Sequence, residues 1–107
     1  MHSEVQGCIS PDHPALAGHF PGNPVVPGVV LLTELLELIE RQVGWTADAI
    51  RLTSVKFTAI LRPDEAFLLV LDQLSEQQLS FAFTKGDTRI ASGVLSHTGH
   101  MAEQHIP

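Results

Sequence analysis

The chain has 107 residues and carries 12 acidic against 6 basic side chains, a net charge of −6 at neutral pH. That balance argues against nucleic acid, which needs a clustered basic surface, and no apolar run approaches the ~20 residues that span a bilayer. The length allows one domain, 1–107, with a modest core, yet 44% of the residues are hydrophobic; such a surplus points to a subunit interface, and so to a homodimer or higher homo-oligomer.

Residues 4–9 (EVQGCI) read as a short strand, with Cys8 a small buried side chain. A single cysteine forms no internal disulfide, and the first residues carry no basic-then-apolar leader pattern, so a reducing, cytoplasmic setting is expected. Pro11, Asp12, His13 and Pro14 then make a turn. The segment that follows, 13–39, organises the rest. Pro21, Pro24 and Pro27 fall within seven residues, with glycines at Gly18, Gly22 and Gly28. Fixed φ at each proline and permissive dihedrals at each glycine make this a stiff, non-repetitive loop.

From Gly28 a helix is predicted to Val43, with Gly44 as its stop. Its polar positions Thr33, Glu34, Glu37, Glu40 and Arg41 fall in one arc of roughly 120°, so most of the circumference is apolar and the helix should be central and wrapped. Beyond Gly44 the period changes to two. Residues 50–61 are β-rich, with Ile50 and Leu52 out of phase with Val55, Phe57, Ala59 and Leu61, which predicts a bulge near Thr53. Strands 66–74, 79–84 and 88–96 follow, joined by short turns, so these four strands are predicted to form an antiparallel meander. From His97 the periodicity vanishes and 97–107 reads as a flexible tail. His97, His100 and His105 in that tail have no Cys or acidic partner at zinc-ligand spacing, so no metal is expected.

The loop carries the chemistry. It ties His19 to the start of a helix, where free N–H groups and the positive dipole end lie. Such a place can hold a carbonyl oxygen while an imidazole works beside it. His13, in the entry turn, is a lesser candidate for the mouth of that site.

The motif HFPGNPVVPGV, His19 to Val29, resembles the signature of the hotdog-fold 3-hydroxyacyl-acyl-carrier-protein dehydratases. Lys56-Phe57 followed by Arg62-Pro63-Asp64 is similar to that family's basic-aromatic strand and the turn after it. The resemblance implies an α+β hotdog fold, a curved antiparallel sheet wrapped around one central helix, and dimers with paired sites at the interface. It also implies lyase chemistry in fatty-acid or polyketide-type synthesis. The acyl substrate would be carried on the phosphopantetheine of an acyl carrier protein or on coenzyme A, with no resident cofactor. By that resemblance His19 takes the C2 proton and the Gly28 amide binds the thioester oxygen, with Phe20, Pro27 and Val29 beside the substrate. An Asp or Glu five residues past the glycine, from the other subunit, would protonate the departing hydroxyl.

At that last position stands Thr33. A hydroxyl can hydrogen-bond and orient water but cannot donate a proton as a carboxylic acid does. Glu34 is rotated about 100° away, and Glu37, the possible alternative acid, lies roughly 6 Å further along the axis. Glu37 is also placed to pair with Arg41 one turn on. Three readings therefore stand: a dehydratase-like lyase with an unusual or missing acid, a hotdog acyl thioesterase, and an inactive acyl-binding or pairing subunit.

Overall fold

Residues 29–43 contain neither glycine nor proline, and with Gly28 they coil into one sixteen-residue helix, α1 (Gly28–Val43). In the computed structural model, which describes residues 2–12 and 25–98, Pro27 is the N-cap, with φ −63° and ψ 149°. Proline there already has the extended geometry a cap needs. At the other end Gly44 adopts φ 87° and its N–H donates to the carbonyl oxygens of Glu40 and Ile39, at 3.0 and 3.2 Å. A left-handed residue satisfying the last carbonyls is what ends the helix where the sequence predicts.

Among the described residues five antiparallel strands form the sheet: β1 (His2–Gly7), β2 (Ile50–Phe57), β3 (Phe67–Ser75), β4 (Gln78–Lys85) and β5 (Thr88–His97), in the order β1-β3-β4-β5-β2. Alternate residues Phe67, Leu69 and Leu71 of β3, and Leu79, Phe81 and Phe83 of β4, are buried. They join Val30, Leu31, Leu35, Leu38 and Ile39 of α1 in one core cluster. A two-residue period on the strands and a helical stripe on α1 thus meet face to face, which gives the two layers. Phe67 and Phe83 pack edge to face across the sheet with ring centroids 5.1 Å apart.

Three details differ from the sequence reading. The first strand is His2–Gly7, not 4–9, and Cys8 is exposed; buried Ile9 takes the inward place, so its neighbour faces out. The predicted four-strand meander holds only for β3, β4 and β5. β2 lies at the far edge beside β5, in the register Ile50↔His97 to Phe57↔Ala91. The reason is the connection 58–66, too long for a hairpin turn: Thr58 and Ala59 donate to the carbonyl of Ile90, and Asp64 donates to that of Ile9, so the chain crosses the end of the sheet. β1 meanwhile occupies the free side of β3. His97, expected in the tail, instead ends β5, its ring stacked on Trp45 at 4.8 Å; His100 and His105 lie outside the described residues. The bulge is where the phase slip put it, between Leu52 and Ser54, and the Thr53 hydroxyl donates to the Val94 carbonyl at 2.8 Å.

The crossing segment is pinned by Glu65. Its carboxylate accepts from the Arg62 N–H at 2.8 Å and from Lys85 Nζ at 3.0 Å. Among the described residues no helix is long and apolar enough to cross a membrane.

Candidate functional site

The first turn of α1 supplies the site. Val30 and Leu31 both direct their N–H groups at the Pro27 carbonyl, at 3.0 and 3.3 Å. No acceptor among the described residues meets the N–H of Gly28 or Val29. Two such donors at the positive end of a helix dipole make a place for an oxygen bearing negative charge.

Gly28 is not a glycine for reasons of backbone geometry, since among the described glycines positive φ falls at Gly44 and Gly86. Space is the reason. A Cβ built on Gly28 would stand 2.8, 3.0 and 3.1 Å from three atoms of the Phe57 ring. Phe57 ends β2 and is 46% exposed; Val29, on the adjacent face of α1, is 68% exposed, and Ile60 59%. The Val26 N–H donates to the Leu61 carbonyl at 2.8 Å, which ties the connection after β2 to the residues leading into α1. An apolar collar of Phe57 and Val29 borders the Gly28 amide.

Thr33 is exposed, and its hydroxyl donates to the Val29 carbonyl at 3.0 Å. The proton a donor would need at this position is thus engaged with the helix itself. Glu37 is also exposed, on the same side of α1 as Thr33, beside Glu40 and Arg41 around a shallow depression. Among the described residues no ion pair ties Glu37 to Arg41. His19, Phe20 and His13 lie outside the described residues. Pro27 and Val29 flank Gly28 as the motif requires.

One turn beyond Gly28 an apolar cleft of about 160 Å³ opens between α1 and β2, walled by Leu32 and Leu36 on one side and Ile50 and Leu52 on the other, with Leu35 in its floor. Leu31, Leu38 and Phe81 are core residues. Sequence reasoning missed the parts of Phe57, Leu32, Leu36 and Leu52. Only the out-of-phase Leu52 signalled them, because the bulge at Thr53 returns it to the inner face with Val55 and Phe57. A separate hollow of about 450 Å³ is bordered by Asp72, Ser80, Thr84 and Ser92, and neither Gly28 nor Thr33 lines it. Among the described residues no three His, Cys, Asp or Glu side chains group as a metal site.

Among the described residues, a five-stranded antiparallel sheet with α1 packed on it defines a hotdog-fold protein. The ApeI-like family, described as ApeI dehydratase, matches residues 2–94, and the chain belongs to that family. A 3-hydroxyacyl-acyl-carrier-protein dehydratase, FabZ, of Caulobacter vibrioides is 27% identical over 106 residues, covering 89% of this chain and 66% of its own length. The chain therefore spans just under two thirds of that relative. Among solved structures, an uncharacterized protein from Erwinia carotovora subsp. atroseptica superposes with a TM-score of 0.71 at 27% identity, over 94% of this chain and 85% of its own. The dehydratase heterocomplex ApeI:P from Xenorhabdus doucetiae gives a TM-score of 0.66 at 23% identity, over 89% of this chain and 85% of its own, a likeness of fold.

Proposed function

We propose that this chain binds a 3-hydroxyacyl thioester, carried on the phosphopantetheine of an acyl carrier protein or on coenzyme A, and forms one side of a dehydratase-like site in cytoplasmic fatty-acid or polyketide-type synthesis. The observation that carries the reading is the pair of amides at Gly28 and Val29, for which no acceptor stands among the described residues, at the end of the HFPGNPVVPG motif. The His19 imidazole takes the C2 proton, and the Gly28 N–H holds the thioester oxygen as it gains charge. The C3–O bond then breaks, the hydroxyl leaves as water with a proton from an acid, and a C2–C3 double bond remains. A second hotdog chain pairs with this one across β2 and supplies residues to the site, a second copy being the simplest occupant.

The acid is the weak link. Thr33 donates to Val29 and has no proton to give near neutral pH, and absence of a general acid typically costs 10²- to 10⁴-fold. The same hydrogen bond favours a second reading, in which the chain keeps the binding half and pairs with a chain that brings the carboxylate. That a fold relative is one half of a dehydratase heterocomplex is in keeping with it.

Crotonyl- and 3-hydroxybutyryl-pantetheine decide between them. Hydration or dehydration by the purified chain supports the lyase, and release of free thiol supports a thioesterase. Binding without turnover supports the pairing subunit. Thr33→Glu should then raise dehydration by about 10²-fold or more. His19→Ala should abolish any turnover; unchanged rates in that variant would remove the histidine from the mechanism.

A further inference from the structure

We propose that Phe57 is a positioning residue for the Gly28 amide: its ring keeps water off that N–H and fixes the first turn of α1 against the end of β2. The proposal rests on the reading of Gly28 as the amide that receives the thioester oxygen. Ring atoms stand 2.8 to 3.1 Å from where a Cβ of residue 28 would be, which by bond geometry puts the ring edge within about 5 Å of the amide nitrogen. No acceptor among the described residues meets this N–H. A donor bordered by an aromatic ring edge and by Val29 sits in a poorer dielectric than one open to solvent. Its hydrogen bond to a developing oxyanion is stronger there, and less water has to reorganise.

The contact is also selective about what it tolerates. Any side chain at 28 must push the ring away, and a truncated ring leaves the amide open. Glycine and phenylalanine at these positions are thus one coupled feature, although they stand on different elements. Phe57 is 46% exposed on an edge strand, so it stands at the rim of the core, where its free face meets whatever enters the collar.

Amide exchange of Gly28, followed by NMR on the full chain, reads the shielding directly. Phe57→Ala should speed it by about tenfold, while Phe57→Leu, which keeps an apolar cover, should restore most of the protection. Exchange at the core amides of Leu35 and Leu69 reports whether the fold has loosened generally. If Phe57→Ala does not fold, Phe57→Val and Phe57→Leu give the graded series. In parallel, Gly28→Ala and Phe57→Ala should be strongly non-additive in stability, the methyl being tolerated once the ring is gone. Crotonyl-pantetheine should bind the Phe57→Ala chain about tenfold more weakly and the Phe57→Leu chain nearly as well as the parent. Unchanged Gly28 exchange, additive stabilities, or equal ligand affinity in the alanine variant each overturn the proposal. If the parent chain binds no acyl ligand while Phe57→Ala still exposes the amide, the acyl-site reading falls and the shielding stands.

Discussion

Two ionisable side chains hold the ends of this sheet, and they titrate in opposite senses. The Arg62 N–H, and then the Lys85 ammonium, stabilise the Glu65 carboxylate and hold its pKa below the ordinary 4.5. Because the folded value lies below the unfolded one, this contribution is complete above pH 4.5 and fades as pH falls through the folded value. His2, bonded to the Asp72 and Glu4 carboxylates, is held above its ordinary 6.5, so its contribution is complete below that value and is lost as pH rises through the folded one. His2 is exposed and Glu65 half-buried, and the effects are expected to be small. Melting temperature followed across pH should therefore show Glu65→Gln flattening the acid limb alone and His2→Gln flattening the alkaline limb alone. If either variant merely shifts the whole curve, the assignment of that limb is wrong.

At the scale of elements, the helix and its neighbours test how tightly the two layers fit. Leu35 is 0% exposed and also floors the cleft between α1 and β2. Leu35→Ala should cost about 2–5 kcal/mol in urea unfolding, towards the low end if the neighbouring cleft lets the site collapse. A cost under about 1 kcal/mol would mean that the layers do not meet as described. The helix was legible in the chain because its limits are chemical: no glycine or proline from 29 to 43, Pro27 before it and Gly44 after. The bulge at Thr53 was legible too, as a break in a period of two. The position of β2 was not, because the period reports which face a residue takes and not which strand lies beside it. The Gly28–Phe57 contact was hidden for the same reason, since it joins two elements that only the crossing segment 58–66 brings together. Thr33 was legible by its spacing from Gly28, but its bond to Val29 is a matter of side-chain rotamer, which no spacing reports. Cys8 was misread because an apolar neighbourhood in sequence says nothing of where a strand ends.

At the scale of the whole molecule, the described residues leave the β2 edge of the sheet uncovered. β2 is an edge strand exposed along nearly its full length, and five of its or its neighbours' large apolar side chains lie open: Val29, Leu52, Val55, Phe57 and Ile60. A free edge with an apolar inner face is a template for another strand, and a chain this short gains more from covering such a face than from burying further core. Antiparallel pairing of β2 with its counterpart would continue the sheet and bring Thr33 and the Gly28 amide of each chain towards the other's site. Lys56 and Arg51 fall on the opposite face of the strand, so they need not enter the apolar seam. Val55→Asp places a carboxylate, and its symmetry mate, in the middle of that seam, where like charges facing each other destabilise pairing. Sedimentation should find the parent chain as a dimer and the variant as a monomer with unchanged secondary structure by circular dichroism. A variant that remains dimeric would move the interface off β2, and with it the expectation that a partner chain completes the site.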